Sequence, residues 1–164
     1  GENPDWSCVD AHQVLRQIWH DLSGKARARD LEIAWSLTED GHLESDLELV
    51  KVIGANLLDN AASYARKGSL VKVETFWDST SFLIRVENQV EGDWFSPEEL
   101  ASFFDPFYRR DQARVLQDDH AGIGLSFCRD VMEILGGEIS VNQPESHRVV
   151  FEVSFPIIPR KASK

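Results

Sequence analysis

The chain has 164 residues, 42% of them hydrophobic, enough for one domain with its own core. Lys and Arg total 17 against 28 Asp and Glu; the resulting charge of -11 excludes a general electrostatic grip on nucleic acid or anionic lipid, so any phosphate site must be local. Cys8 and Cys128 stand without metal-ligand spacing, which excludes a disulfide framework or zinc site and points to a reducing cytoplasm, and the sequence contains neither a membrane-length apolar run nor a signal peptide.

Asp10 is placed to cap a helix carrying Val14, Leu15, Ile18, Trp19 and Leu22 at helical spacing, and Leu31, Ile33, Trp35 and Leu37 then alternate as a half-buried strand. Ser45 with Glu48 three residues later forms a capping-box signal, predicting a helix that starts there and ends before Gly68. Residues 70–77 and 81–88 read as a hairpin turned by Asp78, Ser79 and Thr80. After an irregular stretch, Ser96 and Pro97 open a short helix. Residues 109–121 are polar without apolar period and read as a mobile connection. They lead through Gly122, Ile123 and Gly124 into a helix with Leu125, Phe127, Val131, Ile134 and Leu135, stopped by Gly136 and Gly137. Residues 138–142 and 148–155 make a second hairpin before a charged tail.

The helix after Ser45 carries the most informative pattern. Leu49, Val52, Ile53 and Leu57 form its apolar face, and Asn56, Asn60, Ser63 and Tyr64 share a polar side because residues three and four apart are helical neighbours. Two carboxamides one turn apart suit a hydrated Mg²⁺ and its phosphates, since that ion takes oxygen ligands and keeps much of its water. Taken alone, the pair reads as readily as the solvated edge of a buried helix.

Three motifs in order change that balance. Asn-Leu-Leu-Asp-Asn-Ala at 56–61, Phe-Asp-Pro-Phe-Tyr-Arg-Arg at 104–110, and Gly-Ile-Gly-Leu-Ser at 122–126 leading to Leu-Gly-Gly at 135–137 have the order and spacing of the N, F and second glycine boxes. The chain resembles the ATP-binding catalytic domain of bacterial two-component sensor histidine kinases, in the superfamily shared with type II topoisomerases, Hsp90 chaperones and MutL proteins. The resemblance covers nearly the whole chain. It implies an α+β Bergerat fold: a two-layer sandwich with a mixed, mostly antiparallel sheet of about five strands, packed against three main helices and provided with an ATP lid.

By resemblance, Asn60 is the principal Mg²⁺ ligand and Asn56 assists it, so both are expected in the metal and catalytic site. Asn56 stands where ATP-hydrolysing relatives carry a glutamate that activates water; an amide cannot be that base, which fits phosphoryl transfer and disfavours a chaperone- or topoisomerase-type ATPase. Gly122, Ile123, Gly124 and Leu125 open a helix whose free backbone amides and dipole favour phosphate. His120 replaces an earlier glycine of the usual pattern; it reads as a solvent-exposed histidine or, alternatively, as a contact to a phosphate. Arg109 is expected to neutralise charge on the transferring phosphoryl group, beside Tyr108, whereas Arg110 reads as a solvated edge. Tyr64 is expected to line the nucleotide pocket.

The first glycine box is degenerate. Asn88 replaces the aspartate that reads the adenine amino group, Gly92 alone remains of its glycines, and Ser63 replaces a lysine or other long side chain near the phosphates. A neutral carboxamide offers a net hydrogen bond of roughly 0.5–1.5 kcal/mol rather than a charge-assisted one. His12, His20, His42, His120 and His147 all lack the phosphoacceptor pattern.

The resemblance therefore implies a single catalytic domain over 1–164, with the dimerisation and phosphoacceptor helices upstream of Gly1. It would present Mg-ATP for γ-phosphoryl transfer to a histidine of that other domain, would not autophosphorylate alone, and would belong to a cytoplasmic segment of a homodimeric kinase that signals to a response regulator. No direct membrane contact is expected of this domain, and an inner-membrane anchor of the parent is left open. The alternative is a degenerate regulatory module with weak or no nucleotide binding.

Overall fold

Asp10 ends the first strand and starts the first helix, because its carboxylate accepts from the Gln13 amide and satisfies a donor that the helix leaves free. The computed structural model describes residues 3–105 and 124–157. Its elements in chain order are β1 (Trp6–Asp10), α1 (Ala11–Asp21), α2 (Ser23–Ala28), β2 (Glu32–Ser36), β3 (His42–Asp46), α3 (Leu47–Tyr64), β4 (Leu70–Trp77), β5 (Ser81–Gln89), α4 (Pro97–Ser102), α5 (Gly124–Ile134), β6 (Glu138–Glu145) and β7 (Arg148–Pro156).

The main sheet has five strands in the order β2-β4-β5-β7-β6, parallel only between β2 and β4. Along β4, β5 and β7 every second residue faces inward. Val71, Val73, Phe82, Ile84, Val86, Val149, Phe151, Val153 and Phe155 are buried. The opposite face carries alternating charges that pair across strands: Lys72 with Glu87, Arg148 with Glu87, and Arg85 with Glu152. The polar-out, apolar-in alternation thus fixes which face receives the helices.

Helix α3 lies centrally on the inner face between α1 and α5, and its Val50, Ile53, Leu57, Leu58 and Ala61 join Leu15, Leu125, Cys128, Val131 and Met132 in one core cluster. Burial pushes the Cys128 thiol up to about 12, so it remains a packing group rather than a thiolate. This two-layer α+β arrangement, with five strands and three principal helices, is the expected fold.

Local signals account for most boundaries. Asp78 accepts from the amides of Thr80 and Ser81 and turns the β4–β5 hairpin; the Thr80 amide is foremost in holding its carboxyl below the usual range. Ser96 and Glu99 complete a capping box with Pro97 in the first turn of α4. Helix α5 ends in a Schellman motif: Gly137 donates to Met132 O, Gly136 donates to Glu133 O, and Gly136 has φ +77°.

Three features depart from expectation. Ser45 does not cap α3; Asp46 does, accepting from Leu49 N at 3.1 Å, while the Ser45 hydroxyl is buried without a hydrogen-bond partner. A two-stranded antiparallel ribbon, β1 with β3, joins the start of the chain to the start of α3. The chain between α1 and β2 also forms α2. Residues 109–121, read as a mobile connection, lie outside the described residues.

Candidate functional site

The site helix is fixed at both ends. At its start, the Asp46 carboxylate accepts not only from Leu49 N but also from Asp5 N at 2.7 Å. These two amides, that of Asp5 foremost, hold the carboxyl below its usual range. At its end, Arg29 of the preceding segment donates to Ala65 O, and Arg66 donates its backbone amide to Gln89 O and its guanidinium to the Gln89 side chain. The last turn of α3 is thereby tied to the end of β5.

Between these anchors the polar side of α3 carries its carboxamides at the edge of the core. Asn56 is half-buried and donates Nδ2 to Val52 O at 2.8 Å, one turn back. That bond engages Nδ2 and leaves Oδ1 as the acceptor of the amide. Asn60, also half-buried, follows one turn later, and Ser63 and Tyr64 complete the stripe. The stripe therefore groups two carboxamides and a hydroxyl, side chains whose oxygens are hard donors of the kind that suits Mg²⁺.

Ser63 has a partner that the sequence reading missed. Lys25, projecting from α2, places Nζ 3.0 Å from Ser63 Oγ and 2.8 Å from Asp59 Oδ1. These contacts span 38 and 34 residues of sequence. Nothing local marks the Ser-Gly-Lys-Ala-Arg-Ala stretch as a neighbour of the asparagine helix. A long-range contact of this kind has no signal in spacing.

At the far end of β5, Asn88 occupies an inward register position opposite Val149, is only 3% exposed, and donates Nδ2 to Gln89 O at 3.2 Å. Its Oδ1 is the acceptor that this bond leaves. Gly92 follows in an exposed turn with φ +98°, a backbone that favours glycine. Gln143 steadies this loop, accepting from Phe95 N at 2.7 Å and donating to Ser146 O at 2.7 Å.

Gly124 is the first residue of α5, and the Leu125 side chain is buried in the core, which leaves only its backbone to face a ligand. Tyr108, Arg109, Arg110, His120, Gly122 and Ile123 lie outside the described residues. The structure thus unites Asn56, Asn60, Ser63 and Tyr64 on one helix and packs that helix on β5, which carries Asn88 next to its last residue.

Residues 45–159 match the family described as histidine kinase-, DNA gyrase B-, and HSP90-like ATPase. The probable sensor protein PcoS of Escherichia coli is 29% identical over 153 residues, covering 87% of this chain but 32% of its own length. The chain thus spans about a third of that relative. The nucleotide-free catalytic domain of histidine kinase ThkA superposes with a TM-score of 0.80 at 21% identity, covering 96% of this chain and 99% of that one. ThkA in complex with the response regulator protein TrrA gives 0.75 at 22% identity, over 96% of this chain and 43% of that one. Full-length ShkA in complex with AMPPNP gives 0.80 at 21% identity, covering 98% and 33%. The match spans well over half of the sequence, including the whole of α3 and β5, and the chain belongs to the histidine kinase-, DNA gyrase B- and HSP90-like ATPase family.

Proposed function

We propose that this chain is the ATP-binding catalytic domain of a sensor histidine kinase, holding Mg-ATP so that the γ-phosphate meets a histidine on a separate dimerisation and phosphoacceptor domain. The observation that carries this reading is the placement of Asn56 and Asn60 one turn apart on the half-buried side of α3, with Asn56 held by its Nδ2 donation to Val52 O. The donor set fits Mg²⁺, with Asn60 as principal ligand and Asn56 as its neighbour; bound there, the ion would neutralise charge on the nucleotide phosphates. Tyr64 and Asn88 line the nucleoside end of the site, with Gly92 giving the turn room. Tyr108, Arg109, His120, Gly122, Ile123, Gly124 and Leu125 supply the phosphate end, Gly124 and Leu125 through backbone amides at the start of α5.

The protein groups act by holding rather than by acid–base chemistry. An amide at position 56 orients the site without activating water, which preserves ATP for transfer. Catalytic roles fall to Asn56, Asn60 and Arg109. The single domain over 1–164 does not phosphorylate itself. Its partners are its own phosphoacceptor domain within a homodimeric parent and a cytoplasmic response regulator, in keeping with the sensor protein and the kinase–regulator complex that it resembles. No helix among the described residues is long and apolar enough to cross a membrane.

Isothermal titration with Mg-ADP and Mg-ATP tests this function. Saturable binding that is lost in Asn60→Ala is the expected result; a folded sample that binds neither nucleotide at millimolar concentration overturns it. A second reading, a regulatory module that no longer uses nucleotide, draws on the neutral Asn88 and on Ser63 in place of a long cation. Joining the chain to its phosphoacceptor helices and following label from γ-labelled ATP separates the two, because a labelled histidine excludes the regulatory module.

A further inference from the structure

We propose that Lys25 is a phosphate-contacting residue of this nucleotide site, its ammonium delivered from α2 to the polar stripe of α3. The inference deepens the proposed function and rests on that reading of Asn56 and Asn60. Its basis is position. Lys25 Nζ sits between Asp59 Oδ1 at 2.8 Å and Ser63 Oγ at 3.0 Å, and Ser63 lies on the same helical side as Asn56 and Asn60.

The ammonium carries three donors, and Asp59 and Ser63 take one each. The Lys25 side chain is 37% exposed, so the remaining donor is open to a ligand beside the asparagines. A domain with a formal charge of -11 repels a nucleotide diphosphate or triphosphate unless a cation stands at the site. Nearby Arg29 and Arg66 are committed to Ala65 O and Gln89, beyond the end of the stripe. Lys25 is the cation that reaches the stripe among the described residues.

The arrangement also explains a serine at position 63. A small hydroxyl there leaves room for a long side chain arriving from α2 and accepts one of its hydrogen bonds, whereas a lysine at 63 would bring a second ammonium against the first. Asp59 holds the Lys25 ammonium at α3 and balances its charge before a nucleotide arrives. A flexible four-carbon stem lets the ammonium turn from Asp59 toward a phosphate without moving either helix.

Titration calorimetry with Mg-ADP and Mg-ATP on the 164-residue chain tests the assignment, alongside adenosine binding followed by chemical shifts. Lys25→Met is expected to weaken both nucleotides by roughly tenfold, the scale of one charge-assisted phosphate contact, and to leave adenosine unchanged. Adding Ser63→Lys to Lys25→Met is expected to restore most of the loss by returning a cation to the same stripe. Should Lys25→Met fail to fold, Lys25→Gln keeps a donor toward Asp59 and Ser63 without the charge and gives the same comparison. Wild-type ADP affinity in the lysine variants, with Asn60→Ala still abolishing binding, overturns the role of Lys25 and leaves the proposed function standing. An equal loss for adenosine also overturns it, since Lys25 would then act only by tying α2 to α3. No nucleotide binding by the wild-type chain overturns both.

Discussion

Helix α3 has two faces with opposite duties, and the contrast separates what folds this domain from what equips it. On the inner face Val50, Ile53, Leu57, Leu58 and Ala61 are at most 1% exposed and pack into the common core. On the outer face Asn56, Asn60, Ser63 and Tyr64 are only half-buried. Stability therefore concentrates on one side of the helix, and the proposed ligand chemistry falls to the other, so substitutions on the two sides are expected to change different observables.

The largest effect belongs to the inner face. Leu57→Ala removes a fully buried side chain from the centre of the cluster, and a cavity of this kind costs about 2–5 kcal/mol. Urea denaturation should show the unfolding free energy lower by that amount, seen as a lower midpoint with little change in slope. A loss under 1 kcal/mol would mean that α3 does not bear the core as its burial indicates.

Asn60→Ala is the matching test of the outer face. A half-buried polar residue away from the core should change stability by no more than about 0.5 kcal/mol. Mg-ADP affinity should nevertheless fall at least roughly tenfold, the lower end of what disturbed metal sites lose. If stability and binding instead fall together, the two faces are not independent and the division drawn above is broken.

How far this division was legible in the sequence depends on the distance over which each signal acts. The helical period of Ile53 and Leu57 against Asn56 and Asn60 is local and holds, whereas Leu49 and Val52, read as part of the apolar face, are only half-buried, and Val50, Leu58 and Ala61 complete the buried side instead. The β4–β5 hairpin was equally plain, because alternating residues flank Asp78, whose carboxylate closes the turn within three residues. The β1–β3 ribbon was not readable: Trp6–Asp10 and His42–Asp46 are short and rich in polar residues, and their pairing joins segments far apart in the chain. Lys25 was missed for the same reason. Its proposed role rests on Asp59 and Ser63, which only the tertiary fold brings to it.

The start of α3 offers a third, smaller test, with a pH dependence. Asp46→Ala removes the acceptor for Leu49 N and Asp5 N and should cost about 0.5–2 kcal/mol near neutral pH. The folded carboxyl titrates below its ordinary value, chiefly because of the Asp5 amide, so its contribution is present above the ordinary carboxylate range and fades as pH falls through the lowered value. Wild type and Asp46→Ala should therefore converge in urea midpoint in acid, and a difference that persists unchanged below that range would deny the carboxylate its part.

Ser45→Ala gives the smallest effect and the one whose sign is most informative. Were Ser45 the cap, as its spacing to Glu48 suggests, alanine would destabilise α3 by about 0.5–2 kcal/mol. Ser45 is instead 1% exposed, and its hydroxyl finds no hydrogen-bond partner, while Asp46 takes the Leu49 amide. Removing a buried, unsatisfied hydroxyl relieves a desolvation penalty, so alanine should leave stability unchanged or raise it by up to about 1 kcal/mol. The physical reason for the one-residue shift lies in the ribbon: β3 continues through Ser45 to Asp46, paired with β1, and this holds Ser45 in the strand with its side chain turned inward. A clear loss of stability in Ser45→Ala would place the cap back on the serine and detach α3 from the ribbon that otherwise sets where it begins.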